Sequence, residues 1–103
     1  MKKDGIIKIL GNLKESIRQQ YKAKIMGVFG SYVKGESKKG SDIDILVNFE
    51  EEADLFDLVA LSLFLEKKLK HKVDIVPQSS LREEIKESIL KEAVYIWETI
   101  ASI

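Results

Sequence analysis

Apolar residues recur at helical spacing near the start of the chain. Ile6, Leu10, Leu13, Ile17 and Tyr21 share one face, which predicts a helix over residues 6 to 22. The run KIMGVF at 24 to 29 is short and nearly all apolar, the pattern of a buried strand. Gly30, Gly35 and Gly40 then break the pattern among polar residues. Residues 43 to 49, IDILVNF, are rich in β-branched and aromatic side chains and predict a second strand. An acidic turn follows from Glu50 to Asp54, with Asp54 placed to cap a helix from Leu55 to about Lys70. KVDIV at 72 to 76 reads as a third strand that Pro77 ends. Ser80 and Glu83 have the spacing of a capping box, which predicts a helix from Leu81. Ile85, Ile89, Ala93, Ile96 and Ile100 continue its apolar face.

Strands alternating with helices in this order argue for an α/β or α+β fold. The link between the first two strands is about 13 residues, with room for one short helical turn, so it allows either an antiparallel or a parallel pair. The segment Leu55 to Leu65 is apolar at nine of eleven positions. In a chain of 103 residues one small sheet cannot cover such a helix on all sides. A homodimer or a partner interface is the natural consequence.

The length suits one small domain over residues 1–103. Basic and acidic residues balance at 17 each, so no global field draws the protein to a nucleic-acid backbone, and strong direct nucleic-acid binding is not expected. With no Cys, a disulfide scaffold and a thiolate metal site are both excluded. The N-terminal apolar residues are too few and too interrupted for a signal peptide, and no later segment suits a bilayer span, which predicts a cytoplasmic protein with no membrane partner.

The candidate chemistry lies in Gly30-Ser31, a spacer, and Asp42-Ile43-Asp44-Ile45. Side chains alternate along a strand, so Asp42 and Asp44 project from one face while Ile43 and Ile45 face the core. Two neighbouring carboxylates repel each other, and a divalent cation reverses that penalty. Hard oxygen ligands suit Mg²⁺, which also takes substrate phosphates. Asp74 sits among Val73, Ile75 and Val76, where a carboxylate is costly without a partner. If its strand neighbours the second, three carboxylates make a two-metal phosphoryl-transfer site, with Asp74 placed to help deprotonate the attacking hydroxyl. Gly30 permits close backbone approach, and a turn of helix from Ser31 would aim N–H groups at phosphates. Lys34 would add positive charge or stand exposed, and Ser41 would cap the turn or touch phosphate. The spacings Gly30–Gly35 and Gly35–Gly40 lack the Lys-Ser/Thr of a P-loop. His71, in the charged run KKLKHK, reads as solvated, and Phe64, Tyr95 and Trp97 as core or interface.

The run from Gly30-Ser31-Tyr32-Val33-Lys34-Gly35-Glu36 through Ser41-Asp42-Ile43-Asp44-Ile45-Leu46-Val47, with Asp74 downstream, resembles the minimal nucleotidyltransferases of the DNA polymerase beta-like superfamily. The resemblance covers essentially the whole chain. It implies a nucleotidyltransferase fold of the α+β (α/β-like) class, a small three-stranded mixed sheet flanked by about four helices. It also implies two Mg²⁺ ions and transfer of AMP from ATP, with Asp42, Asp44 and Asp74 as metal-binding catalytic residues and Gly30, Ser31, Lys34 and Ser41 at the nucleotide. Many relatives carry Arg where this chain has Lys34, and Lys lacks the bidentate fork. Minimal members are commonly antitoxins that adenylylate a tyrosine of a small helical toxin of the HEPN (higher eukaryotes and prokaryotes nucleotide-binding) type. Two other functions fit the same features: a non-catalytic module that neutralises a partner by covering it, and nucleotidyl transfer to a small molecule.

Overall fold

The structure is a computed structural model that describes residues 2–36 and 40–96. The first helix, α1 (Lys3–Tyr21), buries Ile6, Ile7, Leu10 and Ile17 and ends at Lys22, whose φ of 55° is left-handed. Strand β1 (Ala23–Phe29) follows at once, then the single turn α2 (Ser31–Lys34) and strand β2 (Ile43–Phe49). Helix α3 (Leu55–Leu69) opens with the predicted cap: the Asp54 carboxylate accepts from the Asp57 N–H, and Asp57 returns the bond to the Asp54 N–H. Strand β3 (Val73–Pro77), a 3₁₀ turn (Gln78–Ser80), helix α4 (Glu83–Glu92) and a two-residue strand β4 (Val94–Tyr95) complete the order.

The sheet has the order β3-β2-β1-β4. Strands β1 and β2 pair antiparallel, which settles the alternative left open by the 13-residue link, while β2 and β3 pair parallel across the α3 crossover. Pro77 closes β3 without cost to the ladder because β3 is an edge strand.

Two apolar layers cover the sheet. On one face Ile43, Ile45, Val47, Val73 and Ile75 meet α1 and the inward stripe Leu61, Leu65 and Leu69 of α3. On the other, Phe29, Leu46 and Ala93 form a smaller cluster with Met26, Ile89, Leu90 and Tyr95. An irregularity between Ile25 and Gly27 shifts the alternation of β1. It puts Ile25 and Val28 on the α1 face but Met26 and Phe29 on the other. The chain therefore leaves β1 with Phe29 opposite Asp44, on the carboxylate face.

The structure departs from the sequence reading at the C-terminal end. Among the described residues the sheet has four strands rather than three. Residues 94 and 95, expected within the last helix, pair with Val28 and Gly27 of β1. The apolar spacing 85, 89, 93, 96 fits a helix equally well, but the free edge of β1 offers hydrogen bonds that a helix would leave unmade. Gly27 makes this approach feasible, since a Cβ there would collide with the Val94 carbonyl. The Ser80 capping box does not form. The Ser80 hydroxyl donates instead to the Pro77 carbonyl at 2.8 Å, and α4 starts three residues later without a side-chain cap. Ile96 is buried as expected, while Trp97 and Ile100 lie outside the described residues.

Candidate active site

The three aspartates come together through strand register. Asp44 pairs with Asp74 across the parallel β2–β3 ladder. Ile43, Ile45, Val73 and Ile75 fill the α1/α3 side, so alternation sends Asp44 and Asp74 to the opposite side, and Asp42, two residues before Asp44, shares it. Asp42 and Asp74 are exposed at this end of the sheet and Asp44 is half-buried. Phe29 is its cross-strand neighbour, and Leu46 follows two residues later on the same face.

This environment raises the Asp44 pKa from 3.8 to about 6. Burial is the largest cause, followed by the charges of Asp74 and then Asp42. The sign for stability is fixed by that shift. The folded state holds the Asp44 proton more tightly than the unfolded chain, so the fold loses stability from this group as pH rises from about 4 to about 6, and the penalty is complete above that window. Thermal unfolding in a chelator checks this. The advantage of Asp44→Asn over wild type should grow between pH 4.5 and pH 6.5 and level off above. A divalent cation held at Asp44 would show the opposite trend, its affinity weakening as pH falls through about 6, where proton and cation would compete for one carboxylate.

Gly30 and Ser31 stand beside these carboxylates at the end of β1. Gly30 has φ 80° and ψ −150°, a region open essentially only to glycine. A Cβ at this position would collide with the Asp44 Oδ2 atom. The glycine thus brings backbone against the carboxylate with no side chain between them. The Gly30 carbonyl accepts from the Val33 and Lys34 N–H groups at 3.1 Å each and starts the α2 turn, which Gly35 ends at a left-handed φ of 72°. Lys34 turns its ammonium toward Glu92 of α4, 3.4 Å away, in a pair whose lysine is exposed and whose glutamate is half-buried. Ser41 is half-buried at the entry to β2.

Three further features bear on metal and ligand binding. Among the described residues, no group of three or more His, Cys, Asp or Glu side chains is placed to hold a metal ion. The donor set nevertheless fits Mg²⁺ in kind: carboxylates on adjacent strands, one of them, Asp44, charged at neutral pH against burial and against its acidic neighbours, with the remaining ligands left to substrate phosphates and water. A groove along α4 lined by Glu83, Lys86, Glu87, Leu90 and Lys91 contains none of these residues.

Two side chains near the site escaped the sequence reading. His71 was expected to be solvated, yet it is half-buried and its Nε2 lies 2.7 Å from the Tyr32 hydroxyl. Their rings meet edge to face, with centroids 5.5 Å apart. The only sequence signal was an aromatic directly after Gly30-Ser31; the lysines around His71 masked its role.

A four-stranded mixed sheet with carboxylates at the start of β2 and a glycine-led turn beside them defines the nucleotidyltransferase class. Residues 10–96 match the family model for the nucleotidyltransferase domain. The chain is 44% identical over 93 residues to the protein adenylyltransferase MntA of Thermococcus cleftensis, covering 90% of this chain and 94% of that one. It is 36% identical over 92 residues to a Methanocaldococcus jannaschii chain assigned as a protein adenylyltransferase, covering 88% and 94%. Its fold matches a solved chain assigned as a minimal nucleotidyltransferase with a TM-score of 0.76 at 35% identity, covering 91% and 95%. A chain of a toxin–antitoxin complex with AMP-PNP follows at TM-score 0.66 and 25% identity, covering 84% and 72%. The protein belongs to the nucleotidyltransferase domain family and is an enzyme of the minimal nucleotidyltransferase type. Among the described residues, no helix is long and apolar enough to cross a membrane.

Proposed function

We propose that this chain, as a single domain over residues 1–103, transfers AMP from ATP to a protein hydroxyl, a tyrosine of a helical HEPN-type toxin, and acts as its antitoxin. The observation that carries the chemistry is the register pair Asp44–Asp74, on one sheet face with Asp42 and next to Gly30. Asp42 and Asp44 would hold two Mg²⁺ ions, and Asp74 would complete the site on the nucleophile side. When bound, the ions supply charge neutralisation at the phosphates and lower the barrier to deprotonating the acceptor. The backbone at Gly30 and Ser31 holds the β- and γ-phosphates, with Ser41 at the edge of the cradle. Lys34 reaches the phosphates only by leaving Glu92, an exchange that its solvent-exposed ammonium permits. Asp74 takes the acceptor proton as its oxygen attacks the α-phosphorus. The bond to the α,β-bridging oxygen breaks, and pyrophosphate leaves. The relatives named protein adenylyltransferase and the toxin–antitoxin complex support the acceptor class.

A second reading, neutralisation by binding, is favoured by α3. Leu55, Phe56, Val59 and Leu63 are 72%, 85%, 48% and 63% exposed, and their spacing places them along one side of the helix. This is the surface that the sequence left over, and it suits the apolar face of a helical partner or a second copy of the chain. Incubation with the partner, ATP and Mg²⁺, read by intact mass, separates the readings. A mass gain of one AMP that Asp42→Ala abolishes supports transfer, whereas a tight complex with no mass gain supports neutralisation alone. Phe56→Asp should lose the complex and keep nucleotide binding, because it lies outside the carboxylate face.

A further inference from the structure

We propose that Tyr32 and His71 form a latch that holds the α2 turn against the β2–β3 edge, making His71 a positioning residue for the nucleotide. The inference rests on the nucleotidyl-transfer reading above. It starts from a chain of hydrogen bonds. The Lys72 carbonyl accepts from the Ile43 N–H at 3.0 Å, where β2 and β3 begin to pair, and lies 3.0 Å from His71 Nδ1. A carbonyl can only accept, so Nδ1 carries the hydrogen, and in the neutral ring Nε2 is then the acceptor. The Tyr32 hydroxyl, 2.7 Å from Nε2, donates to it.

The latch therefore runs from α2 to the first rungs of the ladder that carries Asp44 and Asp74. Tyr32 and His71 are 39 residues apart in the sequence, and the other acceptor near the Tyr32 hydroxyl, the Ser41 carbonyl, is more distant at 3.5 Å. The α2 turn spans four residues and depends on its surroundings for order, because one helical turn is unstable alone. Tyr32 directly follows Ser31, so fixing its ring fixes the backbone of the cradle. Protonation of His71 does not open the latch: Nε2–H would donate to the Tyr32 oxygen in place of the reverse bond.

Calorimetry with AMP-PNP and Mg²⁺ tests the proposal. Tyr32→Phe and His71→Ala should each weaken AMP-PNP binding about fivefold, the worth of one partly buried hydrogen bond. The double variant should bind no more weakly than the weaker single, because both remove the same bond. His71→Gln, which keeps an acceptor near the position of Nε2, should bind within about twofold of wild type. Tyr32→Phe retains the ring packing, so its result stands even if His71→Ala fails to fold. Wild-type affinity in Tyr32→Phe, additive losses in the double variant, or a His71→Gln as weak as His71→Ala would each overturn the latch alone. A wild-type chain that ignores AMP-PNP would overturn the nucleotidyl-transfer reading and the latch with it.

Discussion

Asp44→Asn is expected to reduce nucleotidyl transfer by roughly a thousandfold while making the metal-free protein more stable at pH 7.5. The two effects have opposite signs because one carboxylate carries both. Its pKa of about 6 means that at pH 7.5 the folded chain holds Asp44 charged against burial and against the charges of Asp74 and Asp42. The amide keeps the shape and removes the charge. Because Asp44 is only half-buried, solvent screens part of the repulsion, and the melting temperature in chelator should rise by roughly 2–5 °C. Wild type should recover this difference on addition of Mg²⁺ and ATP, which bind the folded state and stabilise it by mass action, whereas Asp44→Asn should not respond. A variant that is inactive and also less stable in chelator would mean that Asp44 serves the fold, and the metal role would fall. A variant with near wild-type transfer would remove Asp44 from the chemistry.

The same residue shows how much the sequence could reveal. Alternation along IDILVNF was enough to place Asp42 and Asp44 on one face, because the Ile43, Ile45 and Val47 stripe has only one way to reach the core. The N-cap at Asp54 was legible for a similar reason: the bond it makes is local, three residues long. The pairing of Asp44 with Asp74 was not legible. It depends on which strands become neighbours and in which register, and those are decided by the packing of α1 and α3 on the sheet rather than by residues near either aspartate. β4 failed for a related reason. Two residues of strand carry no period of their own, and Ile85, Ile89, Ala93 and Ile96 supplied a helical one. The information that decides the matter sits at Gly27, in a different part of the chain, where the missing Cβ makes room for Val94. His71 was hidden by its lysine neighbours, since a charged run reads as solvent-facing whether or not one member turns inward.

Gly30→Ala should cost both stability and activity, and the two losses have separable causes. The backbone at φ 80° and ψ −150° strains any L-residue, typically by about 1–3 kcal/mol. The new methyl group must also displace the Asp44 carboxylate, whose Oδ2 atom occupies the same space. Transfer should therefore fall at least about a hundredfold, since a shift of roughly 1 Å in a catalytic group has effects of that size. The steric part can be isolated in an Asp44→Ala background, where no carboxylate remains to be pushed aside. There Gly30→Ala should lower the melting temperature by less than it does in wild type, the remainder being backbone strain alone. Coupling of this kind is expected only for residues in direct contact. Equal losses in the two backgrounds would mean that Gly30 is needed for its φ angle and not for its closeness to Asp44. The proposal that the phosphate cradle and the carboxylates share one compact site would then lose its main geometric support.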